Sequence, residues 1–513
     1  MKGRLVCAGA GLAMAAAFPS LDLWPLAWVA LLPLLVVVRG LPPSRAFRQG
    51  WIFGLSFYLA MLYWVAPTIG NYTQIPFAVS LLLLVLLAAV VAVGPALFAA
   101  VLEWIAAAGI SRVLAAPVIW VSIEWTRTFF PAAFPWGLLG YSQASVMPVV
   151  QLADLAGVYG ISALVVFTNT ALAELGGGAG RHRRLVTGAA LLLLVVFVYG
   201  KMRLVAVEST AAPASVRVGL VQGNVEQADK WEDSLQNRIL DHHMRLSAEA
   251  ADRGAQLVVW PEASLPFVFD SDDRAGRLTA FAKERGVDML IGAPGYGRRQ
   301  GREPMAYNEA WHIGSDGAAS EPYDKIQLVP FGEYVPFGPV LAWVERVVEV
   351  VGTFGRGTRR VVFEGPGSLR FSALICYEAI FPALVREFVV SGAQLLVNIS
   401  NDAWYGRTSA PHQHLAMAAV RAVEHRRPLV RATNTGITAV VRPSGRVVAA
   451  TGLFETAVVV ETVPLPELGS VYTRIGDLFV YLCLAALAVL VYMRIRLGAV
   501  LIDHGGRGIL GPL

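Results

Sequence analysis

Cysteine is scarce in this chain: three in 513 residues, and two of them, Cys7 and Cys483, lie inside long apolar stretches. No disulfide framework can be built from that set, and Cys376 is left without a partner in its own region. Histidine is sparse too, at eight residues. His242 and His243 adjoin on a polar helical stretch, and His412 and His414 stand without identifiable partners. The sequence therefore offers no cluster of His, Cys and acid at metal-ligand spacing, and it has no glycine-rich nucleotide loop. A chemistry without metal or cofactor is the expectation. Charged residues make up only 15% of the chain against 56% hydrophobic, with a mean hydropathy of +0.56. Such a balance excludes an ordinary soluble globule. The formal charge of +5 does not point to nucleic acid, because the arginines gather in short clusters beside the apolar runs rather than along one face.

What is abundant is apolar sequence in runs of about twenty residues, the length that crosses a bilayer core. After Met1-Lys2-Gly3-Arg4 a short apolar run reaches about Phe18. It resembles a secretory signal, but a second stretch from Leu23 to Val38 follows at once, so an uncleaved first span is expected. Further stretches run from Trp51 to Val65, Phe77 to Trp104, Val113 to Trp125, Val158 to Leu175 and Leu185 to Val205, and one more lies between Ile475 and Tyr492. The organisation expected is a membrane domain of about seven helices over residues 1–207, a polar domain over 215–464, a last helix over 472–496 and a tail over 497–513. Arg39, Arg45, Arg48, Arg112, Arg181, Arg183, Arg184, Arg494 and Arg496 fall on one side if the spans alternate, and Lys201 and Arg203 run against that pattern. The positive-inside rule makes that side the cytoplasm and turns the polar domain outward. The stretch Phe134 to Gln143 is too broken by Pro and Gly to span, and reads as re-entrant or as an interfacial loop; Glu124 and Arg127, one turn apart before it, are placed to pair.

Between Ser215 and Pro464 the composition becomes that of a soluble α/β domain. Strand-like runs occur at 216–221, 256–260, 289–292, 309–313, 369–375, 394–399, 429–432 and 447–450, and helical patterns at 234–251 and 411–423 separate some of them. Apolar strands alternating with helices predict a layered α/β fold with its site along the carboxyl edge of the strands.

Three stretches on that edge carry chemistry. Leu374-Ile375-Cys376-Tyr377-Glu378 puts a cysteine on a turn after an apolar strand; Leu257 to Glu262 ends an apolar strand in Trp-Pro-Glu; Tyr323 to Glu333 contains Lys325. A thiol that attacks an acyl carbon needs a base and a positive charge for the oxyanion that follows. Glu262 is the candidate base and Lys325 the candidate cation. Taken alone, each is more often a solvated charge, and an isolated buried cysteine is more often a small hydrophobe.

These three motifs, in this order, resemble those of the nitrilase, or carbon–nitrogen hydrolase, superfamily. That resemblance implies a Glu-Lys-Cys triad on an α-β-β-α sandwich. With membrane spans on both sides, and with Val221 to Asn224, Phe134 to Gln143 and Asn398 to Gly406 also similar, nearly the whole chain resembles the apolipoprotein N-acyltransferase family. The resemblance implies Glu262 as general base, Lys325 at the oxyanion and Cys376 as the acylated nucleophile. It further implies supporting roles for Glu333, Tyr377 and Glu378 and a substrate-binding role for Trp231. The implied partners are a phospholipid acyl donor and a diacylated apolipoprotein acceptor at the bacterial inner membrane, with the catalytic domain extracytoplasmic. Glu378 reads equally as a salt-bridged structural carboxylate, and Asn398, Asn401 and Asp402 as loop-fixing side chains.

Other readings stay open on the residues. A membrane-anchored amidase or nitrilase would use the same triad with water as acceptor, although one span would suffice as an anchor. A transporter or sensor would favour paired ionisable groups in the membrane, for which Glu103 and Glu124 are the candidates. The helix-period stretch from Val340 to Val351 reads as a lid dipping into the bilayer or as an ordinary core helix.

Overall fold

The computed structural model describes the chain apart from residues 73–74, 130–132, 177–178, 298–303, 337–353 and 506–513. The expected lid at 340–351 lies outside the described residues. Two compact units emerge: residues 1–63, 81–199 and 477–513 form one, and residues 64–80 and 200–476 the other.

The first unit is helical. Among the described residues, Phe77–Ala106, Ala153–Ala173, Thr187–Ser209 and Leu478–Leu497 are long and apolar enough to cross a membrane, and the pair Pro43–Met61 and Val65–Asn71, bent by 49°, would make a fifth. The other expected stretches form shorter helices, Lys2–Ala16, Leu32–Val38 and Arg112–Thr126. Buried polar groups are used to close the backbone where helices break. Asn169 accepts from the amides of Leu31 and Leu32 and donates to the Ala27 carbonyl, which is needed because backbone groups freed at a break have no water to turn to. Glu103 pairs with Arg112 and also accepts from the Gly40 amide. The pairing expected between Glu124 and Arg127 gives way to a different use of both. Glu124 accepts from the Leu139 amide at 2.6 Å, and Arg127 donates to the carbonyls of Phe134 and Trp136 and to the Tyr58 hydroxyl. The irregular 134–143 segment offers these unpaired backbone groups, so it captures both charges. Its residues from Trp136 to Gln143 are buried against protein.

The second unit contains two six-stranded sheets. The strands are β1 (Ala214–Gln222), β2 (Leu257–Val259), β3 (Asp288–Gly297), β4 (Met305–Ile313), β5 (Tyr323–Asp324), β6 (Phe363–Glu364), β7 (Arg370–Ile375), β8 (Leu395–Ser400), β9 (Leu429–Thr433), β10 (Ala439–Val441), β11 (Val447–Ala450) and β12 (Ala457–Leu465). One sheet runs β12-β1-β2-β3-β4-β5 and the other β11-β10-β9-β8-β7-β6. In each, three central strands are parallel and the outer ones antiparallel: β1-β2-β3 in the first sheet and β7-β8-β9 in the second. Parallel strands need crossovers, and helices Gln236–Asp252, Ala275–Arg285, Pro382–Val390 and Ala410–His425 supply them. The sheets face each other, β1 against β9 and β4 against β7, and helices lie outside. This is the α-β-β-α sandwich. The central strands β2, β7 and β8 are buried along nearly their whole length because both their faces are covered.

The expected strands all appear. Strands β5, β6, β10 and β12 were not legible, the first three because they are only two or three residues long. β12, at the end of the polar domain, pairs with β1 over nine residues.

Candidate active site

Three strand ends converge on one buried centre. Glu262 follows β2, and the backbone around it is pressed against β3. A Cβ at Gly292 would stand 2.4 Å from the Pro261 carbonyl oxygen and 2.7 Å from the Glu262 Cα, so only glycine lets β3 pass this close. The Gly292 carbonyl in turn accepts from the Leu265 amide and the Ser264 hydroxyl, closing the turn in which Ala263 takes φ 45°. The carboxylate is aimed by these contacts rather than by its own rotamer alone.

Lys325, which follows β5, places its Nζ 3.1 Å from Glu262 Oε1 and 2.8 Å from Glu333 Oε1. Asn308 of β4 joins the two acids, its Nδ2 donating to Glu262 at 2.7 Å and to Glu333 at 3.2 Å. The remaining Glu262 oxygen accepts from the Asn401 amide at 2.9 Å, and the second Glu333 oxygen from the Val329 amide at 2.8 Å. Lys325 is 1% exposed and Glu262 6%. Burial works against the Glu262 carboxylate, but Lys325, Asn308 and Lys230 outweigh it and hold the carboxyl below its ordinary range. For Lys325 burial is likewise outweighed by Glu262 and Glu333, and the ammonium is held well above its usual range.

Cys376 begins the turn Cys376–Ile380 and sits in the left-handed region at φ 53°. Few L-residues adopt it, and those that do are held there by their surroundings. Burial pushes its thiol up, the Glu262 charge pushes it further, and Lys325 opposes both. The proton therefore rests on sulfur. Both charged partners lie near enough to act on that sulfur, so the structure brings Glu262, Lys325 and Cys376 together.

Glu378 is buried and fully occupied. It accepts from the amides of Ile375, Ile326 and Gln327 and from the Tyr323 hydroxyl, at 2.7 to 3.1 Å. One carboxylate thus ties the turn at Cys376 to the strand end that carries Lys325. Of its two readings, the structural one fits these contacts, with hydrogen bonds in place of a salt bridge. Tyr377 is buried edge-on against Phe381, with ring centroids 5.2 Å apart. Trp231, at the end of the short turn Asp229–Trp231, is 49% exposed and is the accessible member of the set.

Sequence reasoning missed Lys230, Asn308 and Arg431. Lys230 is buried with its Nζ 3.3 Å from the Glu262 carbonyl oxygen, and burial lowers its pKa to about 8 against the pull of Glu262. Its position beside Trp231 was the only available signal. His414, read as lacking partners, has Asp402, Arg431 and the Cys376 carbonyl around it. Those partners come from three other segments, so no spacing rule could find them. Of the side chains expected to fix backbone, Asn398 does so, donating to the carbonyls of Leu374 and Cys376, whereas the Asn401 side chain bonds to those of Gln227 and Asn434 and its backbone N–H donates to Glu262.

Known proteins are similar to both halves of the chain. Residues 10–171 match the family described as "Apolipoprotein N-acyltransferase N-terminal domain", and residues 217–473 match "Carbon-nitrogen hydrolase". A curated apolipoprotein N-acyltransferase from Geobacter metallireducens is 39% identical over 503 residues, 96% of each chain. Another from Allorhizobium ampelinum is 37% identical over 422 residues, covering 80% of this chain and 78% of that one. An amidase from Nesterenkonia sp. of known structure is 23% identical, with a TM-score of 0.40, over 53% of this chain and 97% of its own. Both halves of the chain match, and the identity to whole relatives runs through both, so the chain belongs to the apolipoprotein N-acyltransferase family, membrane acyltransferases built on a nitrilase-type sandwich.

Proposed function

We propose that this protein moves an acyl chain from a membrane phospholipid, through a thioester on Cys376, to the α-amino group of the diacylglyceryl-cysteine at a lipoprotein N-terminus. The observation that carries the reading is the convergence of Glu262, Lys325 and Cys376 on one buried centre in a chain of this family.

Each role follows from where the protons rest. The thiol is protonated and the Glu262 carboxyl is ionised, so proton transfer must accompany bond formation. As sulfur attacks the phospholipid ester carbon, Glu262 takes its proton, and Lys325 Nζ stabilises the oxyanion. Collapse breaks the ester bond and expels lysophospholipid, whose alkoxide takes the proton back from Glu262. In the second half-reaction the acceptor amine attacks the thioester carbon, Glu262 accepts a proton from the nitrogen, and the thiolate leaves and is reprotonated. Ping-pong kinetics follow. Glu333 holds Lys325, Glu378 holds the turn, Tyr377 packs beside the nucleophile, and Trp231 offers an exposed ring to substrate.

The arginine distribution supports an inner-membrane protein with residues 215–464 on the extracytoplasmic side, a membrane domain over 1–207, a further span over 472–496 and a cytoplasmic tail over 497–513. The transporter reading loses its motivation, since Glu103 and Glu124 are both engaged in holding helices and loops.

The test is intact mass of the purified protein after incubation with a defined phospholipid, beside Cys376→Ala. A single acyl increment, absent from the variant and discharged by a diacylated lipopeptide, is expected. Loss of the adduct in water alone, with free fatty acid accumulating, would replace this reading by the hydrolase. No adduct and no lysophospholipid from folded protein would reject the covalent mechanism.

A further inference from the structure

The left-handed turn at Cys376 needs something to hold it, and the candidate is a buried cluster that the reaction itself does not use. Leu374 of β7, Asn398 of β8 and Arg431 of β9 are direct neighbours across three parallel strands. Arg431, Asn398 and His414 are all 0% exposed. Arg431 Nη1 donates to the Asn398 side-chain oxygen. With that oxygen engaged, the Asn398 Nδ2 is turned to the Leu374 carbonyl at 2.8 Å and the Cys376 carbonyl at 3.4 Å.

Arg431 Nη2 reaches the other side of the cluster, 2.7 Å from Asp402 Oδ2 and 3.0 Å from His414 Nδ1. A guanidinium only donates, so Nδ1 must be the bare nitrogen of the imidazole. The ring proton then sits on Nε2, which is 3.1 Å from the Cys376 carbonyl oxygen, an atom that only accepts. Asp402 Oδ1, 3.3 Å from the same Nδ1, takes its proton from the Ser400 hydroxyl at 2.8 Å. Burial and the Arg431 charge keep His414 neutral, consistent with that tautomer.

We propose that Arg431 is a positioning residue for the nucleophile: by setting the tautomer of His414 and the orientation of Asn398, it dictates the two side-chain donors that hold the Cys376 carbonyl and so the turn that presents the thiol. The inference rests on the reading of Cys376 as nucleophile. If the carbonyl is released, the turn relaxes toward ordinary backbone and the sulfur moves.

The experiment measures the rate of thioester formation by intact mass on the full chain in micelles with a defined phospholipid. Arg431→Lys keeps the charge but replaces the two guanidinium nitrogens that reach Asn398 and His414 by a single one, and His414→Phe removes the donor to Cys376. Both are expected to slow acylation by about 100-fold with little change in KM, the scale of a small misplacement of a reacting group. His414→Gln, which restores an amide donor near the Nε2 position, is expected to recover most of that loss. Acylation at the parent rate in folded Arg431→Lys and His414→Phe would overturn the proposal. Should those variants not fold, ¹⁵N-histidine spectra of the unaltered protein, with His414 assigned by its absence from His414→Gln or from a second substitution at that site, read the tautomer directly. A neutral ring protonated at Nε2 is expected, and a proton on Nδ1 would overturn the proposal. An adduct persisting in Cys376→Ala would remove the nucleophile reading and this inference together. An inert Cys376→Ala beside normal Arg431 and His414 variants would remove this inference alone.

Discussion

The Lys325 ammonium lies 3.1 Å from Glu262 Oε1, with both side chains almost wholly withdrawn from water. Breaking such a pair leaves one uncompensated buried charge, at a cost of about 3–5 kcal/mol. Lys325→Met is therefore expected both to lower the thermal transition and to abolish detectable acylation, whereas Glu262→Gln, which keeps shape and a hydrogen-bonding oxygen, should lose activity by about 10²–10⁴ as a missing general base does with a smaller loss of stability. Thermal unfolding in micelles beside the lysophospholipid assay separates the two. Equal destabilisation by both variants would contradict the pairing argument.

The backbone at Cys376 makes a different prediction. An L-residue in the left-handed region pays about 1–2 kcal/mol, and glycine does not. Cys376→Gly should thus be inactive yet more stable than Cys376→Ala, by about 1 kcal/mol. A glycine variant that melts below the alanine variant would show that this conformation is not strained.

Gly292 sets the position of Glu262 from the neighbouring strand, since an added Cβ meets backbone on three sides within 2.7 Å. Gly292→Ala is expected to displace Glu262 and cut kcat by about 100-fold while the protein still binds diacylated lipopeptide. Full activity would mean that the 262 turn can retreat without cost.

Lys230 lowers the Glu262 carboxyl, so replacing it by Gln should raise that pKa and move the acidic limb of the kcat/KM profile to higher pH. The limb would stay put if the Lys230 charge did not reach the carboxylate. A pH profile of phospholipid turnover decides it.

His243 links pH to stability. It is buried against Trp260, faces Lys230 and His242, and burial holds its pKa down to about 4 from 6.5. The unfolded chain binds this proton below pH 6.5 and the folded one does not, so the neutral ring's contribution is whole above 6.5 and is lost as pH falls toward 4. The full loss is about 3 kcal/mol. Unfolding scans at pH 7 and 5 should show a drop that shrinks in His243→Phe.

The sequence by itself determined the division into apolar helices and an α/β domain, because both rest on local periodicity and composition. It also exposed Glu262 and Cys376, since each follows an apolar strand, where a polar side chain is conspicuous, and Lys325 through the motif from Tyr323 to Glu333. The short strands β5, β6 and β10 escaped because two or three residues show no period. Only tertiary structure could decide that Glu124 and Arg127 serve the 134–143 segment, that Asn308 bridges two acids, or that Arg431 stands across from Asn398. The physical reason is the same in each case: a hydrogen bond depends on which backbone and side-chain groups are brought within about 3 Å, and strand order and register, not sequence spacing, bring them there.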